Sequence, residues 1–136
     1  MAFALICSLA GPALAAEDAK SDPKHVPGTS VDMPFLIAPI VQDGKLLGYA
    51  YVSSTVTASS RTAAVAIREK TPFLQDAFIR DVNAATISTA ADPMKVDQPA
   101  LVARLLADAK RIAGSANVVT LNITQIQVAS ARPKQS

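Results

Sequence analysis

Residues 43–82 read DGKLLGYAYVSSTVTASSRTAAVAIREKTPFLQDAFIRDV, and their hydrophobic period changes partway along. From residue 46 to residue 57 the side chains alternate with the period of a strand that is buried on one face. From Arg61 onward the apolar residues fall three and four apart, as they do in a helix. The Thr-Pro pair at 71–72 divides this helical segment, because proline suits a first helical turn and restricts the residue before it. The stretch therefore predicts a strand followed by two helices.

The alternating strand is the second arm of a predicted hairpin. A short apolar run at 35–41 precedes it, and the Asp-Gly pair at 43–44 suits a two-residue type I′ turn, which needs positive φ at both central positions. Pro39 cannot donate to a ladder, so we expect the first arm at a sheet edge or with a bulge. Tyr49 and Tyr51 share one face of the second arm. That face is either a binding surface or a layer covered by helices.

Three helical segments follow, and each carries a start or stop signal. Ser59 or Ser60 can cap the first helix, and Thr71 can cap the second. Asp97 precedes the third helix, and Gly114 is a good terminator for it. A loop is expected between the second and third helices, around residues 88–96. The predicted inward faces are Ala64, Ile67 and Val65 in the first helix, Phe73, Leu74, Ala77, Phe78, Val82 and Ala85 in the second, and Leu101, Val102, Leu105, Leu106, Ala109, Ile112 and Ala113 in the third.

Residues 117–128 predict a closing strand. Its apolar residues change phase once, the first set being Val119, Leu121 and Ile123 and the second Ile126 and Val128. A β-bulge near residues 124–125 would return both sets to one buried face, and the alternative is a strand end that is buried on both sides. The predicted fold class is therefore α+β. It has a small, antiparallel-rich sheet, made of the N-terminal hairpin and the C-terminal strand, packed against about three helices.

The N-terminus resembles an export signal. Residues 2–15 read AFALICSLAGPALA, which is apolar and uncharged but too short to span a bilayer. Ala13 and Ala15 fit the small-x-small rule of a signal-peptidase site, so residues 1–15 predict a signal peptide and the mature chain would begin at Ala16 or Glu17. The predicted location is the periplasm. An uncleaved inner-membrane anchor is the alternative.

The rest of the chain predicts one domain between two polar segments. Residues 16–30 are charged and broken by prolines, which is typical of a flexible leader. Residues 131–136, ARPKQS, indicate a disordered tail. The folded domain would then cover residues 31–130, which is long enough to form a single core without disulfides.

The charges give no support for nucleic-acid binding. The chain has 13 basic and 11 acidic residues, a formal net charge of +2, and the two signs are interleaved. Only Tyr49 and Tyr51 could stack on bases. Two helical pairs at a spacing of four, Asp76 with Arg80 and Arg104 with Asp108, predict surface ion pairs worth a few tenths of a kcal/mol.

Catalytic constellations are missing from the predicted domain. Cys7, the only cysteine, lies in the signal segment, and His25, the only histidine, lies in the leader. A Ser-His-Asp triad, a histidine zinc site and a Cys-His pair therefore lack parts within the core. Asp76 and Asp81 stand five residues apart on one helix, a spacing that does not place them on a shared face. We expect no enzymatic activity, no cofactor and no metal site.

One family combines these elements in the same order. A strand containing Thr-Val at 55–56 leads to a short helix and a P-x-L-x-D-x-F motif, then a third amphipathic helix and a closing strand VVTLNITQIQV; the motif residues are Pro72, Leu74, Asp76 and Phe78. Together they resemble the periplasmic domain of the FliL family of flagellar basal-body proteins, over roughly residues 34–129. The resemblance implies a stomatin-like domain that oligomerises around the flagellar stator and supports torque without enzymatic activity.

The chain also departs from the pattern of that family. Members have a cytoplasmic tail and a transmembrane helix, whereas this chain has an apparent cleavable signal. Residues 82–85 stand where members carry a Ser-rich turn, and Gln125 and Ile126 stand where they carry an aromatic and an acidic residue.

The resemblance implies a function based on contacts between proteins. We expect a periplasmic structural or assembly protein that is associated with the flagellar basal body and stator. Its partners would be stator or basal-body proteins and further copies of itself, close to a membrane. The alternative is a soluble periplasmic binding or adaptor module that is unrelated to motility.

We predict that the chain is exported and cleaved after Ala15, since a small-x-small site follows an apolar run that is too short to anchor it. Mass spectrometry of the protein from fractionated cells should find an N-terminus at Ala16 or Glu17 in the periplasmic fraction. An intact N-terminus in the membrane fraction would instead establish the uncleaved anchor.

Overall fold

The computed structural model describes residues 28–131, which form a four-stranded antiparallel sheet and three α-helices. The predicted α+β fold class is confirmed. The elements are, in order, β1 (Ser30–Asp32), β2 (Leu36–Gln42), β3 (Lys45–Ala58), α1 (Arg61–Glu69), α2 (Thr71–Ala84), α3 (Gln98–Ala113) and β4 (Val118–Ser130). The predictions for Cys7, Ala13, Ala15, His25 and the tail at 132–136 lie outside the described residues. No helix within the described range is long and apolar enough to cross a bilayer.

β3 is the central strand, and every other strand pairs with it. β2 and then β1 follow one edge of β3, with Leu36 opposite Val52 and Val31 opposite Val56. β4 follows the opposite edge along almost its whole length. The sequence pattern does not predict β1, because it starts the domain at Val31 and assigns residue 30 to the leader. A three-residue strand is too short to show a period, and only its pairing with β3 defines it.

The hairpin forms as the sequence predicts. Asp43 and Gly44 have φ angles of 52° and 74°, which is the positive-φ pair that a type I′ turn requires. Pro39 lies in β2, which is an edge strand among the described residues, and the register shifts after Ile40. The pairing therefore accommodates a residue that has no N–H to donate.

β4 contains the predicted bulge and a second one. Gln125 pairs with Ser53 and Ile123 pairs with Ser54, so Thr124 is left over and the apolar residues on both sides of it face the helices. Another shift leaves Val119 unpaired, and its side chain is 55% exposed. The simple alternation predicts that Val119 shares the buried face of Leu121, and this prediction is wrong. Its neighbour Val118 is buried instead.

Gly48 marks a close approach of β3 and β4. It pairs with Ser130, and a Cβ atom at this position would overlap with the carbonyl oxygen of Ala129. Only glycine allows the two backbones to come this close, so the absence of a side chain here has a steric reason rather than a conformational one.

The caps of α1 and α3 are those that the sequence predicts. The Ser60 hydroxyl accepts a hydrogen bond from the Ala63 N–H at 3.0 Å, and the Asp97 carboxylate accepts one from the Ala100 N–H at 3.3 Å. Gly114 ends α3 with a φ of 98°.

The predicted cap of α2 is wrong. Lys70 is the N-cap residue, and no side chain accepts a hydrogen bond there. Thr71 is already in the first turn of the helix, and its hydroxyl donates to the Ile67 carbonyl at 3.3 Å. The two helices are nevertheless separate at the predicted place, because Pro72 sits in the first turn of α2.

One hydrophobic core lies between the three helices and a single face of the sheet. The sheet supplies alternate residues of β2 and β3, and α2 and α3 supply one stripe each. Three residues that are predicted to face inward are exposed instead: Val65, Phe73 and Ala85. The fully buried members of the helical stripes are Ala64, Ile67, Leu74, Phe78, Leu101, Leu105 and Ala109.

Replacement of Phe78 or Leu105 by Ala should reduce the free energy of unfolding by about 2–5 kcal/mol, because both side chains are completely buried and leave a cavity. Chemical denaturation measures this change. Phe73→Ala is the matched control, since it removes the same side chain from the same helix at a position that is 62% exposed, and it should change stability by less than about 1 kcal/mol. Equal losses at Phe73 and Phe78 would show that the buried face of α2 is misassigned.

Candidate functional site

A shallow groove between α2 and α3 is lined by several charged side chains. It has a volume of about 330 Å³ and is lined by Phe73, Asp76, Ala77, Arg80, Asp81, Ala84, Asp108, Arg111 and Ile112. Asp76 and Asp81 both line this groove, but they pair with different arginines, Arg80 and Arg104. The expectation that the two carboxylates do not converge stays a prediction.

Each carboxylate in the groove is paired with an arginine. The nitrogen–oxygen distances are 3.0 Å for Arg80 with Asp76, 2.6 Å for Arg104 with Asp81 and 3.2 Å for Arg111 with Asp108. The first pair is the predicted one and is well exposed, so it contributes little. The groove thus carries matched charges.

Arg104 holds the C-terminal end of α2. Its guanidinium donates to the carbonyl oxygens of Asp81 and Thr86, each at 2.8 Å, and to that of Ala85 at 3.4 Å. The side chain is only 26% exposed. The Asp81 carbonyl accepts a bond from the Ala85 N–H at 3.4 Å, and Ala85 and Thr86 follow the last residue of α2. A cation at this point gives these carbonyls a further donor and interacts favourably with the helix dipole.

The predicted ion pair between Arg104 and Asp108 is wrong. Arg104 reaches across to Asp81 of α2, and Asp108 pairs with Arg111 instead. The Arg104–Asp81 contact is an ion pair rather than a directed hydrogen bond, because the Oδ1 atom of Asp81 has no hydrogen-bond partner despite the short distance. A spacing of four along one helix could not reveal a contact between two helices.

Asp108 leaves one acceptor open in the groove. Its Oδ1 atom accepts from Arg111, whereas its buried Oδ2 atom has no hydrogen-bond partner among the described residues. Residues 28–131 contain no histidine or cysteine, and in that range no group of three potential ligands could hold a metal ion. The expectations of no enzymatic activity, no cofactor and no metal stay predictions for the whole chain.

The second candidate surface is the sheet face that points away from the helices. Tyr49 lies on it between Pro39 and Ala129, and Tyr51 lies between Ile37 and Gln127. The face continues along β3 with polar, uncharged residues that alternate with the buried ones: Ser53, Thr55 and Thr57. Because the described helices pack on the opposite face, they do not cover the two tyrosines. Of the two alternatives for the face that carries Tyr49 and Tyr51, the described helices do not provide the covering layer, and the binding surface stays a prediction.

The four family-motif residues are distributed between the core and the groove. Leu74 and Phe78 are fully buried in the core. Pro72 is in the first turn of α2, and Asp76 points into the groove beside Arg80. Two of the motif positions thus have a packing role and a third starts a helix, so only Asp76 is available to a ligand or partner.

No protein-family model matches this chain, and no curated protein sequence matches it. The resemblance to the FliL family therefore depends on the order of the elements and on the motif residues themselves.

Arg104→Ala should destabilise the domain by about 1–3 kcal/mol, since it removes the ion-pair partner of Asp81 and the side-chain donor to three carbonyls at the end of α2. Urea denaturation measures the loss. Arg80→Ala is the control, because that side chain is 80% exposed, and it should change stability by less than about 0.5 kcal/mol. Arg104→Lys should fall between the two, since an ammonium keeps the charge but cannot reach several carbonyls at once. Equal effects of the two alanine variants would contradict the capping role.

Proposed function

We propose that this chain is a non-enzymatic, periplasmic structural or assembly protein of FliL type, associated with the flagellar basal body and stator. It would support motility through contacts between proteins. The observation that carries this proposal is the sheet surface. Its side chains are uncharged from β2 across β3 to β4, apart from Asp32 at one end, and three apolar residues in it are exposed: Ile37, Val41 and Tyr49.

Such a surface suits a protein partner. Large exposed apolar patches with a polar rim commonly mark protein interaction sites. Charged residues are depleted at the centres of interfaces. Here the tyrosines and Ile37 provide apolar contact area, and the threonines and glutamines around them can exchange hydrogen bonds with a partner. In the groove, by contrast, each carboxylate is already matched by an arginine.

The order of the elements supports the FliL type within this class. A hairpin, a short helix, the motif from Pro72 to Phe78, a third helix and a long closing strand follow one another in the chain. The resemblance also implies the partners, namely stator or basal-body proteins, and a position close to the inner membrane. Both are proposals for this chain.

A soluble periplasmic adaptor unrelated to motility is the second candidate. The differences from the family pattern at residues 82–85 and at Gln125 and Ile126 favour it, because they change the end of α2 and the outer part of β4. The same sheet surface would then bind a different protein. Neighbouring genes separate the two candidates, since flagellar neighbours would favour the motility role.

Deletion of the gene should reduce swimming in soft agar, and the wild-type gene should restore it. We expect His25→Ala, Asp76→Ala and Asp81→Asn to restore swimming as well, because none of these groups is needed for chemistry; the asparagine keeps the size of a side chain that contacts Arg104.

Ile37→Glu and Tyr49→Glu form the contrasting set of variants. They place a charge on the exposed sheet face without touching the core, so they should fail to restore swimming although they fold, as circular dichroism would show. Normal swimming after deletion would favour the adaptor. Loss of function in a folded His25→Ala or Asp81→Asn variant would overturn the non-enzymatic proposal.

A further inference from the structure

The turn between β2 and β3 is the one place in the chain where an aspartate precedes a glycine. The pair is Asp43-Gly44, and every other aspartate or asparagine precedes a residue that has a side chain. The main-chain nitrogen after an aspartate can attack the carboxyl carbon of that aspartate and close a five-membered ring. A Cβ atom on the following residue hinders this approach, and glycine has none. Asp43 is therefore the aspartate whose neighbour obstructs ring closure least.

Few contacts hold the tip of this hairpin. Asp43 and Gly44 are both exposed, and beyond its chain neighbours no atom lies within 4 Å of the place where a Cβ at Gly44 would stand. Within residues 28–131, the Asp43 carboxylate accepts no hydrogen bond and forms no ion pair. The ladder ends at the pair of Gln42 with Lys45, so the N–H groups of the two turn residues are not part of it. Both reacting groups are thus unrestrained by partners.

The other aspartates of the described range are held more firmly. Asp32 lies in a paired strand and accepts a hydrogen bond from the Thr55 hydroxyl at 3.0 Å. Asp97 caps α3, and Asp92 precedes a proline, whose nitrogen has no hydrogen to lose. In a helix, the N–H of the next residue already donates to a carbonyl one turn earlier. The aspartates inside helices are Asp76, Asp81 and Asp108.

We propose that Asp43 is a modification site, at which the folded protein converts aspartate into isoaspartate without an enzyme. The Gly44 nitrogen attacks the Cγ atom of Asp43, and its proton and one carboxyl oxygen, with a second proton from solvent, leave as water. A second water then adds to the main-chain carbonyl carbon of the succinimide ring, and the bond from that carbon to the Gly44 nitrogen breaks. The main chain now runs through Cβ and Cγ, and the former carbonyl is a free carboxylate. One water is released and one is taken up, so the mass does not change and no oxidant or cofactor is required.

Ring closure needs the turn to open, but not the domain to unfold. It requires rotation about the main-chain bonds of Asp43, whose φ of 52° belongs to the type I′ geometry. Loop tips open locally at a free-energy cost far below that of global unfolding. Because the ladder does not include the two turn residues, such an opening leaves β2 and β3 paired.

Isoaspartate would not fit this turn. It adds one atom to the main chain of a two-residue loop, whereas the type I′ turn suits the twist of its strands only with positive φ at both central residues. The turn also determines the register of a hairpin, so the pair of Gln42 with Lys45 is the first that must shift. The sheet surface around Ile37 and Tyr49 spans both strands of this hairpin. The modification would therefore disturb that surface as the protein ages.

The chemistry does not rest on the proposed motility function, and its readout is a peptide rather than swimming. The purified protein is incubated for several weeks at neutral pH and physiological temperature, folded or in urea, and then digested with trypsin. One peptide, from His25 to Lys45, contains both Asp32 and Asp43, so it carries its own control. Electron-transfer fragmentation identifies isoaspartate, because its main chain includes a Cα–Cβ bond that can break.

We expect isoaspartate to accumulate at Asp43 and not at Asp32 in the folded protein, at a rate within about tenfold of that in urea. Accumulation at Asp43 in urea alone would show that the native turn prevents ring closure, and it would overturn the proposal. Equal accumulation at both aspartates would overturn it as well, because the turn would then have no special role.

Two variants test the chemistry of the turn itself. Asp43→Asn suits a type I′ turn and closes the same ring with ammonia as the leaving group, so it should react faster and show the mass increase of deamidation. Gly44→Asn introduces a residue that tolerates positive φ but has a Cβ, and it should reduce isoaspartate at Asp43 by at least about tenfold. A thermal melt checks that both variants fold. If Gly44→Asn does not fold, the comparison of Asp43 with Asp32 in the wild-type peptide still decides.

The effect on the hairpin has its own readout. Chromatography separates the aged protein that carries isoaspartate from the protein that does not, and the modified form should melt at a lower temperature. Equal melting temperatures would overturn the structural consequence. A folded Gly44→Asn variant that forms as much isoaspartate as the wild type would overturn the role of the glycine.

Discussion

The pairing of β3 with strands on both of its edges is the constraint on which the rest of the domain depends. Its alternate residues from Gly48 to Ala58 point into the core, and the residues between them point to the opposite face. A slip of one residue would exchange the two sets, so the register is determined by burial as well as by hydrogen bonds. Ala50 and Gly48 are small, and the large core side chains come from both layers, for example Leu36 and Leu121 of the sheet and Phe78 of the helices.

The two layers of the domain differ in charge. The helical layer carries the ion pairs, including the Arg104 contacts that bind α3 to the end of α2. The sheet layer is almost uncharged on its outer face and at the β4 edge. Charges therefore help to position the helices, whereas the outer face of the sheet is apolar and hydrogen-bonding.

Local signals in the sequence predicted the features that depend on neighbouring residues. The turn at residues 43–44, the caps at Ser60 and Asp97 and the bulge at Thr124 are all visible in short windows, and the structure confirms them. The features that were missed depend on distant residues. β1 exists only through its pairing with β3, Arg104 finds its partner on another helix, and Phe73 is 62% exposed although it falls at helical spacing from the buried Ala77. In the groove, spacing along the chain therefore predicted the Asp76–Arg80 pair within α2 but not the Arg104–Asp81 contact between α2 and α3.

The position of β4 at the end of the domain has a consequence for how the chain folds. β2 and β3 are joined by a two-residue turn and can pair early, whereas three helices separate β3 from β4. Contacts between distant segments are slow to form, because the intervening loop must close first. During synthesis or translocation, one edge of β3 has no native partner until residues 118–130 have emerged. The unfinished chain thus exposes an uncharged sheet edge, which is the condition under which a holding chaperone is most useful.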